Sequence, residues 1–145
     1  MDESISRAEE AAGDSVHDAL HRIDVLMHGS RRLERVFDYV QRHYFEPLQL
    51  DHVASVASLE RVYFCKYIRR QIGIPFGSWL RMVRVERAVH LLRTTRMTVA
   101  DIALSVGFGD AGGLQRSCKR VTGFSPRAIR AIWTIPAATR SDALK

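Results

Sequence analysis

The stretch from Thr98 to Arg130, TVADIALSVGFGDAGGLQRSCKRVTGFSPRAIR, constrains the fold more than any other part of the chain. Val99, Ile102, Ala103 and Val106 recur at helical spacing and place one apolar stripe on a short helix. Thr98 precedes the stripe, where its hydroxyl can cap the unpaired N–H groups of the first turn. Gly107 ends the helix, since a left-handed closing residue costs glycine little. Phe108 is directed inward, and Asp110 is placed to cap a second helix with a buried side of Leu114, Ser117, Cys118 and Val121. Gln115, Arg116, Lys119 and Arg120 take its other sides. Gly123, Ser125 and Pro126 close that helix and open a third, proline being suited to a first turn. Two short helices around a tight glycine turn, the second one basic, make a helix-turn-helix pattern. Its second helix is of the kind that lies in a DNA major groove.

An earlier stretch repeats the pattern. Leu50, Val53, Ala54 and Ala57 stripe a short helix, a turn follows at Ser58 to Glu60, and Val62 to Arg70 forms a second helix with Phe64, Tyr67 and Ile68 inward. Val53-Ala54 matches Ile102-Ala103, and beyond the turn Phe64 matches Leu114, Lys66 matches Arg116, Ile68 matches Cys118 and Gly73 matches Gly123. The register slips by one residue inside the turn, where an insertion does least harm.

Between the copies lies PFGSWLRMVRVERAVHLLRTT. Leu80, Val83, Ala88, Leu91 and Leu92 are expected on one side of a long helix over 76–95. Such a helix spans ~30 Å, close to the ~34 Å of one duplex turn. It can therefore set two recognition helices in successive major grooves on one face of DNA. Arg81, Arg84, Arg87 and Arg93 ride on it and are divided between phosphate and neighbouring acids in a way the sequence does not sort.

Charge agrees with a polyanionic partner. The chain carries a formal net charge of +6, but residues 1–29 hold seven acids against two bases, so the rest is more basic still. Almost all of its bases are Arg, the residue suited to forked contacts with phosphate and guanine. Cys65 and Cys118 lie far apart, which argues against a disulfide framework or zinc site. His17 and His21 stand four apart without a third ligand, so a solvated pair is expected rather than a metal. No cofactor is implied. No stretch approaches the ~20 apolar residues of a membrane span. The acidic N-terminus lacks a signal core, and cytoplasm is the default location.

Residues 1–29 form an acidic extension in which Met1 to Gly13 is expected to fray. Ser15 to Met27 reads as a helix with Val16, Ala19, Leu20, Ile23, Leu26 and Met27 on one face. It is either a helix packed loosely on the domain or a partner or dimer helix. Ser30 begins a firmer helix with Leu33, Val36, Phe37, Val40 and Tyr44 inward, ended by Pro47. Residues 133–145 read as a loose tail, with Trp133 packing on the last short helix.

In these residues the chain resembles the DNA-binding domain of the AraC/XylS family of bacterial transcription regulators. Ile102-Ala103, Gly107-Phe108, Asp110, Arg116, Lys119, Gly123 and Ser125-Pro126 carry the resemblance, with Leu80, Arg84, Ala88, Leu91 and Leu92 of the linker and the whole of Leu50 to Gly73. It covers roughly residues 31 to 131. The resemblance implies an all-α, seven-helix domain over 30–132, with a first motif at 50–73 and a second at 98–122 on either side of the linker helix. It implies that Arg61, Val62, Cys65 and Lys66 face bases from the first recognition helix, and Ala111, Gly112, Gly113, Gln115 and Arg116 from the second. The chemistry suits several of these: Lys66 and Arg116 can donate to guanine, Gln115 can pair with adenine, and Val62 can touch a thymine methyl. Arg69, Arg70, Lys119 and Arg120 would hold phosphate, positioning without reading sequence. The implied partner is double-stranded DNA and the implied setting a bacterial nucleoid.

The chain departs from the family pattern at several positions. Glu60 stands where a capping Ser is usual, so Ser58 or a reshaped turn is expected to take over the cap. Gly112 and Gly113 open the second recognition helix, each costing ~1 kcal/mol against alanine and offering no side chain to a base. Ile68 and Cys118 replace a common Phe. The second motif is thus expected to grip phosphate more than it reads sequence. About thirty residues before the domain cannot form the larger effector-binding domain most members carry. Two functions follow: a sequence-specific regulator using both motifs, or a protein-interaction module whose acidic N-terminal helix docks on RNA polymerase or another regulator. Catalysis is not expected, since the chain offers no Gly-rich phosphate loop, paired carboxylates or Cys/His nucleophile set.

Overall fold

The two copies anticipated from the sequence fold alike. A computed structural model describes residues 15–133. The acidic stretch through Gly13, the tail after residue 133 and the packing of the Trp133 ring lie outside the described residues. Eight helices and no strand occur among the described residues: α1 (Ser15–Met27), α2 (Arg31–His43), α3 (Leu50–Val56), α4 (Arg61–Ile72), α5 (Phe76–Thr94), α6 (Val99–Ser105), α7 (Ala111–Thr122) and α8 (Pro126–Trp133).

The first motif is α3–α4 and the second α6–α7. The matched residues Val53, Ala54, Phe64 and Ile68, and Ile102, Ala103, Leu114 and Cys118, are all buried. Both recognition helices end on a left-handed glycine, Gly73 at φ 83° and Gly123 at φ 85°. Each donates its N–H back into its helix at 2.9 Å. The turns correspond as well: Leu59 N–H reaches Ala54 O at 3.0 Å, and Phe108 N–H reaches Ala103 O at 2.8 Å. Gly109 is the extra residue of the second copy, exposed and with nothing near a would-be Cβ.

The long helix α5 is common to two cores. Phe76, Trp79, Leu80 and Val83 pack in the first, and Val85, Ala88, Val89 and Leu92 in the second. The single apolar side expected from Leu80, Val83, Ala88, Leu91 and Leu92 is therefore not what forms. The buried face passes around the helix as it leaves one subdomain for the other, and Leu91 is only half-buried. Trp79, fully buried between the rings of Phe37 and Phe76, marks how deeply the first half is covered.

Helix α1 is not loosely attached. Val16, Leu20, Ile23 and Met27 are buried in the first core, while Leu26, expected on the same face, is exposed. Burial of each such side chain is worth about 1.5–3 kcal/mol. An isolated helix of this length would be marginal, so docking is what sustains it. Most of the apolar stripe that a partner helix would need, Leu26 excepted, is already used within the chain.

Arg84 ties the subdomains together. Its Nε donates to Tyr44 O at 2.7 Å and its Nη2 to Glu46 O at 2.9 Å, closing the end of α2. Burial pulls its pKa below the ordinary arginine value. Gly107, in the turn of the second motif, lies against this tie. A Cβ there would meet Arg84 Nε at 2.7 Å and Tyr44 O at 2.8 Å, on a backbone at φ 103°. The equivalent turn residue of the first motif, Ser58, holds φ 57°. A non-glycine residue can occupy that left-handed well at a cost of about 1–2 kcal/mol. Gly107→Ala is therefore expected to lower stability by about 3 kcal/mol, against about 1 kcal/mol for Gly73→Ala, whose Cβ would meet nothing. Urea unfolding of the two variants side by side checks this, and equal midpoints would contradict the tie.

Candidate nucleic-acid interface

The first recognition helix, α4, is capped by the residue thought least suited to it. Glu60 Oε1 accepts from Val62 N–H at 3.0 Å. Its longer side chain folds back onto the first turn, and its charge suits the positive end of the helix. Ser58 does not substitute as a cap; it supplies the left-handed turn. Phe64, Ile68 and Ile72 face inward, which leaves Arg61, Val62, Lys66, Arg69 and Arg70 exposed and Cys65 half-buried. Arg61 lies 4.0 Å from Asp51 of α3 with both side chains largely solvated, a pairing of little strength. Tyr63 was absent from the expected site, yet it is 56% exposed beside Val62 at 57%, so the first turn presents two large apolar side chains outward. The inward spacing of Phe64, Tyr67 and Ile68 was the signal that could have found it.

The second recognition helix, α7, is capped by Asp110, whose Oδ1 accepts from Gly113 N–H at 2.8 Å. Gln115, Arg116, Lys119 and Arg120 are exposed, while Ala111, Gly112 and Gly113 are half-buried. Gly112 has a spatial role: a Cβ there would stand 3.1 Å from Arg116 Nη1. The guanidinium thus lies back over the first turn in the room the glycine leaves. Gly113 is less constrained, since its Cβ would make ordinary contacts of 3.5 Å with Asp110 and 3.7 Å with Phe108.

The structure sorts the linker arginines that the sequence could not. Arg84 is the interdomain tie described above. Arg87 stands over the Tyr44 ring at 5.7 Å. Arg93 lines a cleft between α1 and α5 with Val16, His17 and His90. Arg81 alone of the four joins α7, lining an open cleft of about 450 Å³ with Arg116, Ser117, Lys119 and Arg120. Four cations about one cleft make a strong local positive field suited to a phosphate oxygen.

The cysteines differ in setting. Cys118 is sealed in the second core, and burial pushes its thiol up to about 11. Cys65 is half-buried on α4. His17, read as half of a solvated pair, has its Nδ1 3.4 Å from Glu86 Oε1 of α5. No group of three or more metal-ligating side chains occurs among the described residues, and no helix among them is long and apolar enough to cross a membrane.

Two helix-turn-helix units, each presenting an exposed, basic second helix, are joined by one stiff helix. This is the architecture of a double helix-turn-helix DNA-binding domain. A sequence profile described as a helix-turn-helix domain matches residues 53–132. The chain is 31% identical over 108 residues to the HTH-type transcriptional activator RhaS of Enterobacter sp. strain 638, covering 74% of this chain and 39% of that protein. Among solved structures, the DNA-binding domain of AdpA in complex with a target DNA is 30% identical, with a TM-score of 0.66 over 70% of this chain and 92% of that one. The C-terminal domain of AraT, a response regulator from Geobacillus stearothermophilus, is likewise 30% identical, with a TM-score of 0.66 over 70% of this chain and 85% of that one. The chain belongs to the AraC/XylS family of transcription regulators. It spans well under half the length of the curated relatives it matches, 39% of RhaS and 13% of a Staphylococcus aureus regulator.

Gly113→Ala, which meets no close neighbour, is expected to stabilise the domain by up to about 1 kcal/mol, read as a raised thermal midpoint. A thiol reagent at neutral pH is expected to modify Cys65 before Cys118 in the folded chain and both at similar rates in denaturant. Equal native rates would show that the second core is open.

Proposed function

We propose that this chain is a sequence-specific DNA-binding transcription regulator that inserts α4 and α7 into successive major grooves of one duplex. The observation that carries this reading is the pairing of two equivalent, outward-facing basic helices on α5, whose 19 residues extend for about 28 Å. That length is near the ~34 Å repeat of the duplex. Lys66 and Arg116 are assigned to guanine, Gln115 to adenine and Val62 to a thymine methyl. Arg61, Cys65, Ala111, Gly112 and Gly113 belong to the same groove-facing turns. Arg69, Arg70, Lys119 and Arg120 are assigned to phosphate, with Arg81 beside the last two.

The relatives support the same reading. AdpA's DNA-binding domain was solved with a target DNA, and RhaS is named a transcriptional activator. Activation would further require contact with RNA polymerase, through faces other than those given to DNA. The competing idea of an interaction module built on the N-terminal helix is weakened, because the apolar stripe of α1 is buried in the first core.

Selection of binding sites from random duplexes by the purified chain tests the proposal. A specific regulator enriches one asymmetric sequence spanning two major grooves, and its affinity falls steeply with salt. Lys66→Ala and Arg116→Ala are each expected to cost about 1–3 kcal/mol and to relax preference at one position. Arg69→Ala is expected to weaken all sequences alike and to reduce the salt slope by about one. Enrichment of no sequence over random duplex would sink specific regulation.

A further inference from the structure

Helix α1 lies before the residues matched by the helix-turn-helix profile, yet it is among the best-anchored elements. It touches α2, α5 and both recognition helices, α4 and α7. Its two ends lie by different neighbours. Its start lies by Glu86, Val89, His90 and Arg93, where Val16 and His17 line a common cleft with them. Its end leads to His28, whose ring is 4.9 Å from that of Phe37, which in turn stacks on Trp79 at 6.4 Å. Between those ends α5 crosses from one core to the other, Val83 belonging to the first and Val85 to the second. Bending α5 at that crossing would open the cleft that Val16 and His17 share with Val89 and His90, or pull Met27 out of the first core.

We infer that α1 is a splint laid across the junction of the two motifs, fixing the distance and angle between α4 and α7. Its consequence for DNA rests on the two-groove reading proposed above. Two recognition helices held in register engage both grooves without a further orienting cost, and a site of the wrong spacing is rejected because the scaffold does not yield. Arg84 secures the same junction through the Tyr44 and Glu46 carbonyls that follow α2, so the linker is held at two separate points.

The test measures the junction directly, in the full chain and without DNA. Spin labels are placed at Ser55→Cys on α3 and Ala100→Cys on α6, both exposed, in a Cys65→Ser background with Cys118 left buried. The distance distribution between them is expected to be single and narrow. Leu20→Ala/Ile23→Ala is expected to broaden it about twofold or more while far-ultraviolet circular dichroism remains helical. An unchanged width overturns the splint. If the double variant loses helical signal, the single substitution Val16→Ala, at the end of α1 that shares a cleft with Val89, decides by the same readout. Unlabelled chains are then compared on the selected site with ~2 base pairs inserted between its halves. The parent is expected to lose about tenfold in affinity and the loosened variant clearly less. Equal losses at every spacing would make α1 a stabilising element only. Failure of the parent to select any site would fell the two-groove proposal, while the label distances would still decide the splint.

Discussion

The bond from Arg84 Nε to Tyr44 O is the contact on which the rest of the arrangement depends. It joins the end of α2 in the first subdomain to the middle of α5, and the second motif comes to rest against it through Gly107. A charged donor on a partly buried carbonyl is worth about 1.5–3 kcal/mol, and arginine keeps its charge under desolvation. The cramped space explains an asymmetry between the copies. Ser58 can hold the left-handed turn of the first motif, but its counterpart must be glycine, because the second turn is where the subdomains touch.

The duplicated motif was legible because its signals are local. Stripe spacing, the Thr98 and Asp110 caps and the closing glycines Gly73 and Gly123 each act within one or two turns of chain. The one-residue slip between the copies resolves to Gly109, within the turn as expected. Residue preference alone points away from Glu60 as a cap, since the average ranking does not register a side chain long enough to fold back onto Val62.

The linker shows where periodicity loses its meaning. A stripe reading assumes that one side of a helix is covered. α5 has different neighbours along its length, so Trp79 and Val85 are both buried though they lie on different sides. The same limit hid the role of Arg81. Its company follows from which elements pack nearby, not from its own neighbours in sequence.

The sequence by itself determined the helices of the described residues, two equivalent motifs and a basic surface on each second helix, because helix spacing, capping and charge are properties of contiguous residues. Tertiary structure alone decided which arginine ties and which lies with the recognition helix, that α1 is committed to the interior, and that Gly107 has no room for a Cβ. Those outcomes depend on residues far apart in sequence coming together, as Arg84 meets Tyr44 and His17 meets Glu86. No local pattern encodes such distances.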